Sequence, residues 1–256
     1  MKTIAINSIK GGTGKSTLAI LLIKALTGAG FKCLVMDADS SNHSLSFFLS
    51  EHEEVNPVQD KTIFHLFMVE PIRDCIKPIN ENLGLVSGDV RLNEFRSTDS
   101  LKRLKRSLQE AEYDFTVIDT SPTYDNIIGN VLTASDYLLI PIQQDLFSFQ
   151  ALRYQFDKLA DLELSSLDTH IIFNQFEKPL TENKGAYRNQ ITNLFLEDET
   201  FKPFINPNRL SRSSAFRKYI NKRNYRIKEK GETSKAHEEI KSLIQSVLGI
   251  TIKEGL

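Results

Sequence analysis

Cysteine is scarce in this sequence, with only Cys33 and Cys75 among 256 residues. Two cysteines this far apart give neither the short spacing of metal ligands nor the disulfide framework of a small secreted domain. Cys33 lies within the mostly apolar run Phe31–Met36, which indicates a thiol buried in a strand. We therefore expect a reduced protein in the cytoplasm.

Long hydrophobic runs are also absent. The longest apolar stretch, Leu18–Leu26, is interrupted by Lys24 and is far shorter than the roughly 20 residues of a membrane-spanning helix. Met1 and Lys2 lead directly into the first predicted strand, so we expect no signal peptide. A net charge of −1 and 40% hydrophobic residues are ordinary for a globular protein. We expect residues 1–256 to form a single domain with a large buried core.

Short apolar runs alternate with helical patterns along the chain. The predicted strands are Thr3–Ile6, Lys32–Met36, Leu83–Val86, Phe115–Ile118, Tyr137–Ile140 and His170–Phe173. The predicted helices are Lys15–Thr27, Thr62–Phe67, Ser100–Ala111, Ile127–Ala134, Phe149–Leu162, Lys184–Leu194 and a last amphipathic helix, Ser234–Leu248. Most strand patterns are continuous rather than alternating, as expected when both faces of a parallel sheet are covered. The sequence therefore predicts an α/β fold, a doubly wound and mostly parallel sheet flanked by helices, with a ligand at the carboxyl ends of its strands.

A glycine-rich turn, residues 8–17, joins the first strand to the first helix. The backbone N–H groups of such a turn converge on an anion at the N-terminus of the helix. Lys15 can reach the β- and γ-phosphates of a nucleotide, and the Ser16 hydroxyl can hold Mg²⁺. The pattern G-x-x-x-x-G-K-[ST] is not fully met, because Ile9 stands at its first glycine. The chain has instead a second lysine, Lys10, which this loop does not need for its own nucleotide.

Two further predicted strands end in acidic residues. One runs into Asp37 and Asp39, and the other runs into Asp119. A carboxylate at the carboxyl end of a buried strand lies on the same rim as the phosphate loop, where it can bind the waters of a metal or position a nucleophilic water. Any one of these aspartates could instead be a helix N-cap or a turn residue. Three such strand ends on one rim favour a Mg²⁺–nucleotide site.

These segments together resemble the ParA/MinD class of ATPases with a deviant Walker A motif. The segments are Lys10–Thr17, Asp37–Asp39 and Val117–Pro122, and Tyr137–Phe149 is similar to another stretch of that family. The resemblance implies a P-loop ATPase that uses ATP and Mg²⁺ and forms a homodimer when ATP is bound. In such proteins the extra lysine, here Lys10, crosses the dimer interface and touches the phosphates held by the partner subunit.

The same resemblance implies a role for each matching residue. Lys10, Lys15 and Asp39 are implied in catalysis, Asp39 by positioning the attacking water. Ser16, Asp37 and Asp119 are implied around the metal. The implied nucleotide contacts are Gly11, Gly12, Thr13, Gly14, Lys15, Ser16, Thr17, Asn174 and Pro207, the last two beside the adenine. After Asp39 the sequence departs from the family, since residues 40–43, Ser-Ser-Asn-His, replace the usual Pro-Gln-Gly-Asn.

Basic residues concentrate in residues 202–230, with ten lysines and arginines against one acid. Serine, asparagine and tyrosine side chains interleave them, a composition that suits contacts with a phosphate backbone. No recognition-helix or zinc-finger pattern accompanies the segment, so we expect DNA binding without sequence preference, on a basic surface. A solvated charged face without a ligand is the alternative. The candidate DNA contacts are Arg209, Arg212, Arg217, Lys218, Arg223 and Arg226.

The sequence leaves three functions open. The favoured one is a short ParA-type partition ATPase on the nucleoid, activated by a ParB-like or small centromere-binding protein. The second is a MinD-like positioning ATPase that acts on a membrane or a protein cargo. Residues 249–256 lack the basic amphipathic face of a membrane helix, so we expect no membrane attachment. The third is a metabolic or redox enzyme on the same fold, which the two cysteines and the lack of a recognisable substrate pocket disfavour.

Overall fold

The computed structural model of the chain describes residues 1–41, 44–50, 60–94, 101–164, 167–177, 182–214, 216 and 232–252. Within these residues, seven strands form one sheet: β1 (Lys2–Ile6), β2 (Cys33–Ala38), β3 (Lys77–Asn80), β4 (Leu83–Val86), β5 (Phe115–Thr120), β6 (Tyr137–Ile142) and β7 (Asp168–Phe173). Their order across the sheet is β3-β4-β2-β5-β1-β6-β7. Every neighbouring pair is parallel except β3 with β4.

The central strands are buried along almost their whole length. All six residues of β2 and all six of β5 are buried, because helices cover both faces of the sheet. The predicted doubly wound, mostly parallel sheet is confirmed. The sequence analysis did not predict β3, which lies at the sheet edge, is largely exposed and contains Pro78. Such an edge strand carries no continuous apolar signal, and a proline is tolerated there because an edge leaves N–H groups without a ladder partner.

Nine α-helices lie in the described part of the chain. They are α1 (Lys15–Gly28), α2 (Ser44–Leu49), α3 (Ile63–Phe67), α4 (Ile72–Cys75), α5 (Arg103–Leu108), α6 (Asn126–Ala134), α7 (Leu146–Asp161), α8 (Glu182–Glu197) and α9 (Glu232–Leu248). One apolar core joins α1, α2 and α9 to one face of the sheet. The other joins α3 to α8 to the opposite face. None of the described helices has both the length and the apolarity to cross a membrane.

Several helix boundaries differ from the predicted ones. The helix predicted at Ser100–Ala111 is limited to α5 within the described residues, and the short helices α2 and α4 were not predicted. Helix α7 begins three residues before the predicted Phe149. It begins there because the Asp145 carboxylate caps it, with Oδ1 accepting a hydrogen bond from the Ser148 N–H at 2.8 Å.

The described part of the basic segment follows the free edge of β7. Ile205 pairs with Ile171, and Ser211 pairs with Phe176, both in parallel. Leu210 in this segment is buried, so the predicted surface segment 202–230 also contributes a side chain to the core. Among the candidate DNA contacts, Arg217, Lys218, Arg223 and Arg226 lie outside the described residues.

Candidate functional site

Three strand ends meet on one rim of the sheet. In the parallel register, Asp119 pairs with Ile6 at the end of β1 and with Asp37 near the end of β2. The loop that follows Ile6 leads into α1, and its residue Lys15 lies close enough to Asp119 and Asp39 for their charges to act on it. The structure thus brings the glycine-lysine loop together with the three predicted carboxylates.

The loop between β1 and α1 has the backbone shape that only glycine adopts readily. Gly12 has a φ of 75° and Gly14 a φ of 91°, both in the left-handed region. Gly14 is the N-cap of the 14-residue helix α1, which has no side-chain cap and no acidic residue in its first turn. The N–H groups at this helix N-terminus therefore favour an anion such as a phosphate.

Asn174, at the end of β7, supports the loop from the side. Its Nδ2 donates to the Thr13 carbonyl at 2.7 Å, and its Oδ1 accepts from the Gln175 N–H at 2.9 Å. A Cβ atom at Gly14 would lie 2.3 Å from Asn174 Nδ2. Gly14 is thus required by this close approach as well as by its φ. A contact of Asn174 with adenine stays a prediction.

Polar side chains that the sequence analysis missed also hold the loop. Gln143 Nε2 donates to the Gly12 carbonyl at 3.2 Å. Deeper in the protein, Asn7 Nδ2 donates to Thr120 Oγ1 at 2.8 Å, and Gln155 Nε2 donates to Asn7 Oδ1 at 2.8 Å. All three members of this second network are buried. A glutamine or asparagine carries no motif on its own, and the partners lie more than a hundred residues apart, so no local pattern predicts these contacts.

Lys15 is buried at the centre of the site. Its Nζ donates to the Ser8 carbonyl at 3.1 Å. Burial lowers the pKa of Lys15 from its ordinary value, while the neighbouring charges of Asp119 and Asp39 raise it. The side chain lies between the loop and the carboxylates, where it can bind a phosphate oxygen.

Asp119 is a buried carboxylate that lies near the Ser16 hydroxyl but makes no hydrogen bond of ordinary geometry within the described residues. Its exposed fraction is 1%, and neither oxygen has a hydrogen-bond partner among the described residues. Burial, with the nearby Asp37 and Asp39, raises the pKa of Asp119 to about 7, against the opposing effects of the Ser16 hydroxyl and Lys15. A buried carboxylate that lacks partners fits a cation site.

This cation site is not a cage built from protein groups alone. No cluster of three or more His, Cys, Asp or Glu residues arranged to hold a metal occurs in the described part of the chain. Mg²⁺ commonly binds one or two carboxylates and completes its shell with waters and phosphate oxygens. The Ser16 hydroxyl and Asp119, next to a phosphate loop, match that donor set.

Asp37 and Asp39 make hydrogen bonds within their own loop and helix. Asp37 Oδ2 accepts from the Ser46 N–H at 2.9 Å and from the Ser46 hydroxyl at 2.7 Å, and its Oδ1 accepts from the Asp39 N–H at 3.2 Å. Asp37 therefore ties the end of β2 to α2. Asp39 Oδ1 accepts from the Ser41 N–H and hydroxyl at 2.9 and 2.6 Å. The metal role of Asp37 and the catalytic role of Asp39 stay predictions.

Lys10 binds its own chain. Its Nζ contacts Asp145 Oδ2 at 2.5 Å, Gln143 Oε1 at 2.8 Å and Ser148 Oγ at 3.3 Å. Partial burial alone would raise the pKa of Asp145, but the hydrogen bonds from Lys10 and from the Ser148 N–H outweigh it and hold the pKa below its ordinary value. The predicted role of Lys10 at a partner subunit thus requires that it leave these contacts.

The described candidates in the basic segment have partners of their own. The Arg209 guanidinium lies over the rings of Phe176 and Phe173, 4.5 and 5.6 Å from their centroids. Arg212 forms an ion pair with Glu177 at 2.6 Å. Both contacts hold the segment against the end of β7.

Pro207 lines a cavity that does not include the phosphate loop. This cavity has a volume of about 570 Å³ and is also lined by Leu167, His170 and Ser246. Pro207 is exposed, and it precedes Leu210, whose N–H donates to the Phe173 carbonyl at 2.9 Å. The segment runs parallel to β7, so Pro207 lies further from the rim than Asn174. Its contact with adenine stays a prediction.

Comparison with known proteins gives a consistent family. A protein-family profile described as "AAA domain" matches residues 1–170. The chromosome partitioning protein ParA of Myxococcus xanthus is 26% identical over 248 residues, which cover 90% of this chain and 83% of that protein. The sporulation initiation inhibitor protein Soj of Bacillus subtilis is 31% identical over 160 residues, 59% of this chain and 62% of Soj. The maintenance of carboxysome distribution protein A of Synechococcus elongatus is 29% identical over 170 residues, 63% of this chain and 66% of that protein. The chain thus spans less than two thirds of the last two relatives.

Solved structures share the fold. A putative plasmid partition protein from Borrelia burgdorferi, bound to AMPPNP, superposes with a TM-score of 0.72 over 93% of this chain and 95% of that chain. The two sequences are 24% identical. At this identity the likeness establishes a shared fold.

Gly14→Ala tests the close approach of Asn174. The new Cβ would displace the Asn174 amide from Thr13, and the left-handed φ would cost about 1–2 kcal/mol. We expect the variant to bind ATP at least about tenfold more weakly than the wild type. Fluorescence titration with a labelled ATP analogue measures the binding, and chemical denaturation measures the stability.

Gly30→Ala is the matched control. Gly30 has a φ of 90° but no atom within 4 Å of an added Cβ. It should lose a similar stability and bind ATP like the wild type. Equal ATP binding by the Gly14 and Gly30 variants would contradict the bracing role of Asn174.

Asp119→Asn tests the cost of the buried carboxylate. In protein free of Mg²⁺ and nucleotide, the free energy of unfolding of the variant should be at least about 1 kcal/mol higher than that of the wild type. The raised pKa of Asp119, about 7 against an ordinary 3.8, means that its contribution to stability falls as pH rises between these values. The gain should therefore be larger at pH 8 than at pH 5. Denaturant titrations at the two pH values measure it.

Asp37→Asn provides the contrast, because Asp37 accepts hydrogen bonds from Ser46 and Asp119 accepts none from the residues that the structure describes. This variant should lose stability, by about 1–3 kcal/mol for bonds to a charged acceptor. A loss of stability in Asp119→Asn, at both pH values, would show that its carboxylate is stabilised by a contact within the protein.

Proposed function

The chain belongs to the ParA/MinD-type family of P-loop ATPases, and from that premise we propose that it is a partition-type ATPase. In this proposal its ATP-bound form is a homodimer that holds DNA without sequence preference. The dimer segregates or positions a plasmid or chromosome until a partner protein stimulates hydrolysis. The observation that carries the proposal is the pair of lysines in one loop: Lys15 is buried at its own site, and Lys10 lies outside it.

The residues around the loop have distinct roles in this proposal. The N–H groups of the loop and of the start of α1 bind the phosphates of ATP, and Lys15 neutralises the charge between the β- and γ-phosphates. Ser16 would hold Mg²⁺, and Asp37 and Asp119 would bind it through its waters. When bound, Mg²⁺ supplies positive charge beside the phosphates. Asp39, the residue after β2, orients the attacking water.

Lys10 completes the site of the other subunit. A phosphoryl group in transfer carries charge on several oxygens, so a second cation beside it lowers the barrier. In the structure, Lys15 Nζ donates to the Ser8 carbonyl within the loop, whereas Lys10 Nζ is directed away from the loop at Asp145. A dimer in which two subunits face each other across two ATP molecules gives Lys10 its target.

DNA binding rests on the basic segment. Its ten cations against one acid give a strong local positive charge in a chain that is otherwise acidic. Two neighbouring copies in a dimer would double this charge on one face. Phosphate contacts of this kind form with any DNA sequence. An activator such as a ParB-like or small centromere-binding protein would supply the recognition of a specific DNA site.

A second candidate function is the positioning of a protein cargo. The likeness to the maintenance of carboxysome distribution protein A favours it. This alternative uses the same ATP-driven dimer and differs only in the cargo, so the two are distinguished by the partner that stimulates hydrolysis.

Lys10→Ala and Lys15→Ala separate the two lysine roles. Lys15→Ala should lose ATP binding, because the lysine contacts the phosphates of its own subunit. Lys10→Ala should bind ATP like the wild type and lose about a hundredfold in hydrolysis, the effect of removing one donor to the transition state. Nucleotide titration, phosphate release and light scattering for the dimer measure these effects.

Lys32→Ala serves as the control for these assays, since Lys32 is exposed and lies away from the loop. It should match the wild type throughout. Wild-type hydrolysis and dimer formation by Lys10→Ala would refute the role of Lys10 across the interface.

DNA retention should require ATP and fall steeply with salt. Arg217→Glu combined with Arg223→Glu should weaken binding to all DNA sequences alike. Each lost contact should flatten the slope of log affinity against log salt by about one unit. Filter binding or anisotropy over a salt series, with two unrelated DNA sequences, measures both effects.

The double variant Arg73→Glu with Lys77→Glu is the control, because it makes the same change of net charge at exposed positions outside the basic segment. It should retain most DNA binding. Full retention by the Arg217 and Arg223 variant would show that the basic segment is a solvated face.

A further inference from the structure

The Lys10 ammonium uses all of its hydrogen-bonding capacity within its own chain. A protonated lysine has three N–H donors. In the structure, three acceptors surround Nζ: a carboxylate, an amide oxygen and a hydroxyl, from Asp145, Gln143 and Ser148. All three belong to the junction of β6 and α7, 133 to 138 residues from Lys10. An ammonium bound in this way has no donor left for a phosphate of another subunit.

We propose that Asp145 is a positioning residue that holds Lys10 on its own chain in the absence of nucleotide, and that this ion pair must open before two subunits can join. The inference rests on the proposed role of Lys10 across a dimer interface. It adds a restraint: Lys10 binds either Asp145 of its own subunit or the phosphates of the other subunit, and never both at once.

Asp145 can lose its contact with Lys10 and still cap helix α7. Only one of its two carboxylate oxygens, Oδ2, binds Lys10, and Oδ2 also accepts from the Ser148 hydroxyl at 3.3 Å. Oδ1 caps α7 by accepting from the Ser148 N–H at 2.8 Å, and Oδ2 binds Lys10. When Lys10 leaves, the cap of α7 can remain. The ion pair is partly exposed, with 23% of the Lys10 side chain and 31% of the Asp145 side chain accessible to solvent, so an approaching subunit can reach it.

The surroundings of the ion pair connect it to the phosphate loop and to a surface. Gln143 both accepts from Lys10 and donates to the Gly12 carbonyl at 3.2 Å. Gln143 would therefore carry a change in the loop on phosphate binding to the acceptors of Lys10. The next two residues after Asp145, Leu146 and Phe147, are 44% and 74% exposed. This apolar pair lies beside the point where the partner must approach for Lys10 to reach it.

Asp145→Asn removes the charge of the carboxylate and keeps a side chain that can cap α7. In nucleotide-free protein, the rate at which an amine-reactive reagent labels Lys10 should rise by about fivefold, the equivalent of a partly exposed ion pair of about 1 kcal/mol. Mass spectrometry of the peptide that contains Lys10 measures it. With AMPPNP and Mg²⁺, the protein concentration for half-maximal dimer formation should fall by about the same factor, as measured by light scattering.

Two variants control for the cap and for the charge. Asp125→Asn changes the N-cap aspartate of α6, whose Oδ1 accepts from the Ile128 N–H at 3.0 Å and does not contact Lys10. It should leave the labelling rate and the dimer threshold at wild-type values. Asp145→Glu keeps the charge and should keep Lys10 slow to react.

The outcomes separate this proposal from the proposed function. Unchanged labelling of Lys10 in Asp145→Asn overturns the proposal, whatever the dimer assay gives. Faster labelling with an unchanged dimer threshold also overturns it, because the ion pair then restrains nothing. If the wild type and every variant fail to dimerise with AMPPNP while labelling of Asp145→Asn rises, the hold of Asp145 on Lys10 stands and the proposed dimer function fails.

Discussion

The pairing of β5 with both β1 and β2 is the constraint on which the site depends. Parallel neighbours end at the same rim, so the register that aligns Asp119 with Ile6 and with Asp37 also brings the phosphate loop beside the acidic residues. The cost of this arrangement is concentrated at Asp119, whose carboxylate is buried and has no hydrogen bond among the described residues. The fold tolerates this cost because the core on both faces of the sheet is large. A cation and a nucleotide would remove it, which couples ligand binding to stability.

A second set of contacts fixes the shape of the loop from the other half of the sheet. Asn174 at the end of β7, Gln143 after β6 and Gln155 in α7 all reach the loop or the residue that precedes it. Each is an amide, which can donate to a carbonyl without adding charge to a site that must accept phosphates. The loop is therefore preorganised by neutral groups, which leave Lys15 as the buried cation of the site.

The sequence predicted the parts of this structure that leave a local pattern. Continuous apolar strands and the glycine-lysine loop are dictated by burial and by backbone conformation, so their positions follow from short segments. The edge strand β3 left no such pattern, because an exposed strand with Pro78 has neither alternation nor a continuous apolar run. The partners of Lys10 and Asn174 could not be predicted either, since these contacts join residues more than 130 positions apart. They depend on strand order, which local periodicity does not encode.

The energy of the Lys10–Asp145 pair is suited to a contact that must break. Ion pairs with this degree of exposure contribute about 0–1 kcal/mol, because water competes for both groups. Hydrogen bonds from an ammonium to phosphate oxygens are charge-assisted at both ends and gain strength where water is excluded, as between two subunits. The ion pair of Lys10 with Asp145 within one chain is weak, and the proposed hydrogen bonds of Lys10 to phosphate between two chains would be stronger. Bound nucleotide would therefore control which of the two interactions forms. In the proposed dimer, Lys10 would report whether phosphate is present in a second subunit, a property that a lysine placed at the phosphates of its own subunit, as proposed for Lys15, would not have.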